Sequence, residues 1–127
     1  EIRLCDWSSD VCSSDLRARA LLARVLAGEP SWILADEPLA SLDLAHQIAL
    51  LARFRALARS GAGVVLVLHD LAQAMNHADR VMILDRGRLV ADGPPETVLR
   101  PPLIARVWGL AAHWLGDPGG RALAFTP

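Results

Sequence analysis

Apolar residues recur along this chain at helical spacing, and the helical stretches alternate with short unbroken runs of β-forming residues. Helical segments place an apolar side chain at every third or fourth position, whereas the β-forming runs are four or five residues long. The pattern predicts helices over 16–27, 44–60, 70–78, 95–99 and 102–108, and strands over 32–35, 64–68, 80–84 and 88–91. Short apolar strands separated by helices predict an α/β fold, a parallel sheet with crossover helices.

Turn-forming residues mark two hairpins in the second half of the chain. Residues 85–87 (Asp-Arg-Gly) separate two of the predicted strands, and residues 117–120 (Asp-Pro-Gly-Gly) lie at the centre of segment 112–125. Such residues favour tight turns between strands. We therefore expect a C-terminal β-hairpin region after the α/β part.

The first sixteen residues differ in composition from the rest. They contain both cysteines of the chain, Cys5 and Cys12, and show no clean periodicity. A disulfide or half of a metal site is one interpretation, but the spacing fits no zinc pattern. Residues 6–16 (DWSSDVCSSDL) resemble the translation of a sequencing-library adapter. We therefore expect residues 1–16 to be a non-native leader without a function.

Titratable side chains follow the ends of two predicted strands, the place where α/β sheets bind ligands. Asp36 and Glu37 come after the strand over 32–35, and His69 with Asp70 comes after the strand over 64–68. Taken alone, such carboxylates are also suited to capping a turn, and a single histidine is more often structural than catalytic. The neighbouring residues decide in favour of a functional site.

Four motifs resemble those of ATP-binding-cassette (ABC) ATPases, in the order in which that family has them. Residues 32–38 (WILADEP) look like its Walker B motif, residues 41–43 (SLD) like its D-loop, and residues 65–71 (VLVLHDL) like its H-loop. Residues 78–88 (ADRVMILDRGR) look like the strand and hairpin that follow in transporter members. Residues 17–127 are thus identified as a partial nucleotide-binding domain, the C-terminal half of a P-loop NTPase fold.

The resemblance implies roles for five residues. Asp36 would hold a hydrated Mg²⁺, and Glu37 would polarise the attacking water. His69 would hydrogen-bond the γ-phosphate of ATP, while Ser41 and Asp43 would contact a second ATPase subunit in a head-to-tail dimer. ATP and Mg²⁺ are the cofactors that the resemblance implies for the intact protein.

Three further segments resemble one subgroup of the family, the importers of iron-siderophores, haem and cobalamin. They are residues 44–47 (LAHQ), 92–99 (DGPPETVL) and 107–109 (VWG). The resemblance implies permease partners, indirectly a substrate-binding protein, and a peripheral location on the cytoplasmic face of the bacterial inner membrane. The formal net charge of -1 gives no sign of a nucleic-acid partner.

Two parts of the family pattern are missing from these 127 residues. A P-loop holds phosphate with backbone N–H groups and a lysine, but all 13 residues of the Lys and Arg class are arginines. The signature motif expected directly before Arg17 is replaced by the adapter-like residues 12–16. We therefore expect the intact protein to be an ATPase and this fragment alone to be inactive.

Two other classes of protein stay open at this point. A soluble ABC-type ATPase acting on DNA or ribosomes would share the same motifs, although the near-neutral charge and the hairpin over 85–88 favour a transporter. A non-catalytic interaction module would use residues 41–43 as a docking surface. Co-purification with membrane subunits would distinguish such a module from a transporter subunit.

Overall fold

The computed structural model describes residues 10–40 and 42–126, and the chain divides into two compact units between Val67 and Leu68. The first unit contains α1 (Asp10–Ala27), β1 (Trp32–Asp36), α2 (Leu44–Arg59) and β2 (Gly63–Val67). The second contains α3 (Leu71–His77), β3 (Val81–Asp85), β4 (Arg88–Gly93), α4 (Pro95–Val98), α5 (Pro101–Trp108), β5 (Ala112–Leu115) and β6 (Ala122–Phe125).

In the first unit, β1 and β2 pair in parallel and α2 is the crossover helix between them. The register places Ile33 opposite Val64 and continues to the last residues of both strands. Helix α2 packs against β2, and the buried side chains of the unit are Ile33, Leu51 and Phe54. This βαβ arrangement confirms the predicted α/β class and places the carboxyl ends of both strands at one edge.

The other face of the parallel pair is exposed. Trp32 and Leu34 on β1 are 67% and 78% exposed, and Val67 on β2 is 50% exposed. Gly63 lies opposite Trp32, where a Cβ atom would overlap the indole ring, so glycine gives the ring room to lie on the strand. Alternate side chains of a strand point to opposite faces, and here only one of the two apolar faces is covered.

In the second unit, β3 and β4 form an antiparallel hairpin. A two-residue turn joins them, with positive φ at both Arg86 (48°) and Gly87 (74°), as a type I′ turn requires. Met75, Ile83, Val98 and Leu99 form one buried apolar cluster of the unit, and Ile104 is buried as well.

The predicted C-terminal hairpin is present as β5 and β6. Side-chain hydrogen bonds link it to the rest of the second unit. The Asn76 amide donates to the Arg121 carbonyl (2.8 Å) and accepts from its N–H (2.9 Å), while Trp114 Nε1 donates to the Leu99 carbonyl (2.7 Å). Because these bonds are partly buried, they fix the hairpin against α3 and the end of α4.

Most predicted elements appear within two residues of their expected bounds, but two differ. Helix α1 begins at Asp10 instead of Leu16, because helix propagation adds one hydrogen bond for each residue that joins an existing helix. The third predicted strand, β3, lies in the second unit, where it pairs with β4 in the antiparallel direction. The short turn at Arg86 makes that local partner easier to reach than a crossover partner. Cys5 lies outside the described residues.

Candidate functional site

Two adjacent carboxylates stand at the carboxyl end of β1. Asp36 is the last residue of the strand and pairs in register with Val67, and Glu37 begins the loop that follows. The Glu37 backbone N–H donates to the Val67 carbonyl (3.1 Å), so the loop leaves the sheet while still attached to β2. Both side chains are exposed, which makes them accessible to a ligand at this edge.

Glu37 adopts a left-handed backbone conformation, with φ of 48°. A side chain with a Cβ atom rarely occupies this region, and the cost is of order 1–3 kcal/mol. The conformation turns the chain away from the strand direction, so Asp36 and Glu37 do not continue as successive strand residues. The Glu37 carbonyl then accepts from the Ala40 N–H (3.0 Å), which closes a tight turn.

Asp43 is the N-cap of α2. Its Oδ1 accepts from the His46 N–H (2.8 Å), and the His46 ring nitrogen Nδ1 lies 2.9 Å from the same oxygen. These contacts, the backbone N–H first, hold the pKa of Asp43 below its ordinary value of 3.8. The D-loop carboxylate thus has a structural task as a helix cap, besides the subunit contact predicted for it.

Gln47, in the first turn of α2, makes contacts that the sequence analysis did not predict. Its side-chain Nε2 donates to the carbonyls of Leu39 (3.3 Å) and Leu42 (3.0 Å), and the side chain is partly buried. The sequence signal was a glutamine four residues after an N-cap, which by itself does not show where the side chain goes.

His69 belongs to the second unit and lies two residues beyond the end of β2, directly before Asp70. Asp70 is the N-cap of α3, and its Oδ1 accepts from the N–H groups of Ala72 (2.7 Å) and Gln73 (3.2 Å). His69 is exposed. A capped helix start is a rigid support, so it fixes the backbone that carries the histidine. Ser41, the remaining predicted D-loop residue, lies outside the described residues.

The carboxylates suit a magnesium ion that arrives with a nucleotide. Mg²⁺ keeps several waters and is usually held by one or two carboxylates together with substrate phosphates. Asp36 offers one exposed carboxylate at the edge of the sheet. In residues 10–40 and 42–126, no group of three or more His, Cys, Asp or Glu side chains is arranged to hold a metal ion by itself.

The fold is that of an ABC transporter ATPase. A solved inward-facing structure of a metal-chelate type ABC transporter superposes with a TM-score of 0.73 over 88% of this chain and 45% of that one, at 24% identity. Its curated homologues are ATP-binding subunits of transporters, in line with the Walker B, D-loop and H-loop resemblance of its sequence. No family model matches it.

Curated relatives define the subgroup. The hemin import ATP-binding protein HmuV of Rhodococcus jostii is 52% identical over 99% of this chain and 45% of its own length. The ferric enterobactin transport ATP-binding protein FepC of Escherichia coli is 41% identical over 91% of this chain and 43% of its own. The chain therefore spans somewhat less than half the length of these relatives. No described helix is long and apolar enough to cross a membrane.

Proposed function

We propose that this chain is the catalytic C-terminal part of an ATP-binding subunit that couples ATP hydrolysis to import. The observation that carries the proposal is the pair of exposed carboxylates, Asp36 and Glu37, at the carboxyl end of a parallel βαβ unit. Phosphoryl transfer needs charge neutralisation and a positioned water more than covalent chemistry. One carboxylate for a cation and one for a water supply these two needs.

We assign separate roles to Asp36, Glu37 and His69. Asp36 would hold Mg²⁺ through a water ligand, and the ion would supply the neutralisation of phosphate charge that hydrolysis needs. Glu37, turned out of the strand by its left-handed backbone, accepts a hydrogen bond from the attacking water and orients it. General-base assistance of this kind is worth about 10²- to 10⁴-fold in rate. His69 donates to the γ-phosphate and acts as a sensor of its presence.

The partners follow from the subgroup. The relatives' names refer to hemin and to ferric enterobactin, and we propose an iron-chelate, haem or related cargo for the intact protein. Asp43 and Ser41 are assigned to the contact with a second ATPase subunit, and permease subunits recruit the protein to the cytoplasmic face of the inner membrane. A substrate-binding protein delivers the cargo to the permease.

Glutamate-to-glutamine substitution tests this proposal in a full-length subunit that carries residues 17–127. Glu37→Gln is expected to lower magnesium-dependent ATP hydrolysis by at least 10²-fold while nucleotide binding persists, because the amide cannot act as a base. Glu29→Gln is the matched control, since Glu29 is also exposed and also has positive φ (43°). Phosphate release measures turnover, and a fluorescent nucleotide measures binding.

Two results would contradict the proposal. Hydrolysis that survives Glu37→Gln would remove the catalytic role, and equal loss in Glu29→Gln would show a general effect on folding. The 127-residue chain alone, which contains no P-loop, is expected to give no hydrolysis in the same assay.

A further inference from the structure

We infer that Gln47 is a positioning residue that holds the loop carrying Glu37, an inference that rests on the proposed function. Gln47 lies in α2, and it reaches the loop through two backbone carbonyls. It acts on the reaction through the backbone conformation of residues 37–40 and of Leu42.

Both hydrogen-bond donors of the Gln47 amide are used on this loop. A glutamine side chain carries two N–H hydrogens on one nitrogen, and Nε2 has two acceptors, the carbonyls of Leu39 (3.3 Å) and Leu42 (3.0 Å). The Leu39 carbonyl also accepts from the Leu42 N–H (3.3 Å), so the side chain closes a small network. Its partial burial reduces the competition from water for these carbonyls.

The two ends of the loop have separate anchors. At its start, the Glu37 N–H is bonded to the Val67 carbonyl of β2 (3.1 Å). At its end, Gln47 connects it to α2. A non-glycine residue stays in the left-handed region only where its surroundings fix it. Releasing the second anchor therefore allows the residues that follow Glu37, and with them its left-handed backbone, to relax.

The position of Gln47 is fixed by helix α2. Its backbone N–H donates to the Asp43 carbonyl (2.9 Å), within the first turn of α2. The same helix buries Leu51 and Phe54, which fix it in the first unit. The amide thus connects the loop to a rigid element, and rigid support of this kind is what a catalytic group needs.

The test compares three variants in the full-length subunit. Gln47→Met keeps the length of the side chain and removes both donors, and Gln47→Glu replaces the donors with a carboxylate that repels the carbonyls. Gln73→Met is the matched control, because Gln73 also lies in the first turn of a helix and no side-chain hydrogen bond of it is described. Measurements are kcat and KM for Mg-ATP, the melting temperature, and amide hydrogen exchange.

Gln47→Met is expected to lower kcat about ten-fold and to leave KM within about two-fold, since a misplaced group costs turnover more than binding. Gln47→Glu is expected to lower kcat further, and Gln73→Met is expected to change neither kcat nor KM. Exchange of the Ala40 and Leu42 amides speeds up about ten-fold in Gln47→Met. A purely structural residue would instead lower the melting temperature and leave kcat of the folded protein unchanged.

The outcomes separate this inference from the proposed function. If the unsubstituted subunit hydrolyses ATP and loses turnover in Glu37→Gln, but Gln47→Met keeps its kcat, the positioning role is wrong and the proposed function stands. If the unsubstituted subunit shows no hydrolysis, the proposed function fails, and so does the positioning role of Gln47. Unchanged exchange at Ala40 and Leu42 would overturn the inference in either case.

Discussion

Glu37, the residue at which the proposed chemistry takes place, has a backbone conformation that lowers the stability of the fold. Its φ of 48° is one of three positive values among described non-glycine residues, the others being at Glu29 and Arg86. Asparagine enters the left-handed region more readily than glutamate, because its short polar side chain hydrogen-bonds to the local backbone. Asparagine at position 37 would therefore relieve the backbone strain but would lack the reactive carboxylate.

Glu37→Asn is expected to raise the free energy of unfolding of the full-length subunit by about 0.5–1 kcal/mol relative to Glu37→Ala. Alanine has the same steric cost in the left-handed region as glutamate, so the comparison isolates the backbone. Glu29→Asn gives a similar gain over Glu29→Ala, while only the position-37 variants lose ATP hydrolysis in the full-length subunit. Urea unfolding measures the gain, and equal stability of the Asn and Ala variants would contradict the account of strain.

At the scale of elements, helix caps support the candidate site. Asp43 begins α2 and Asp70 begins α3, and each accepts hydrogen bonds from backbone N–H groups in the first turn of its helix. Asp43 belongs to the D-loop motif and Asp70 directly follows the H-loop histidine. The stability of each helix start is therefore coupled to the residues that carry the proposed function.

The Asp43 cap has a pH dependence of known sign. The bond from the His46 N–H lowers the folded-state pKa of Asp43 below 3.8. The contribution of the Asp43 cap to folding stability is therefore complete above the pKa of Asp43 in the unfolded chain. It is lost as the pH falls through the lowered pKa of the folded state. Asp43→Asn keeps an oxygen acceptor but does not titrate, so its melting temperature should fall less than that of the unsubstituted chain between pH 5 and 3. Parallel melting curves of the two proteins would contradict this assignment.

Periodicity was sufficient to predict the elements, because burial on one face imposes spacing on the sequence. It predicted α2 and β2 to within a residue, and the Asp-Arg-Gly turn predicted the hairpin of β3 and β4. It did not predict that β3 would fall in a different unit from β1 and β2, since strand runs of similar composition do not identify their partners. That choice depends on chain connectivity and on the turn at Arg86 and Gly87.

The candidate functional site could be predicted in part from the sequence. Asp36 and Glu37 were predicted from their place after an apolar strand, which the structure shows. The positive φ of Glu37 and the double hydrogen bond of Gln47 were not predicted. Both depend on the conformation of residues 37–40 and of Leu42 between β1 and α2, and sequence spacing does not predict a loop conformation.

At the scale of the whole molecule, apolar sheet faces stay exposed in each unit. In the first unit the exposed face carries Trp32, Leu34, Val65 and Val67, and in the second the hairpin exposes Met82, Leu84 and Leu89. Contiguous apolar surface beside open strand edges favours association between chains. We therefore expect the 127-residue chain by itself to aggregate.

Two neighbouring residues of β1 allow this expectation to be tested, because their side chains point to opposite faces. Leu34 is 78% exposed and Ile33 is 4% exposed. Leu34→Thr removes apolar surface from the exposed face of the first unit with little loss of packing. The fraction of soluble monomer should therefore rise. Ile33→Thr makes a similar change in the covered face, where it should cost about 1–3 kcal/mol and increase aggregation. Size-exclusion chromatography with light scattering measures both, and equal aggregation of Leu34→Thr and the unsubstituted chain would show that association occurs through another surface.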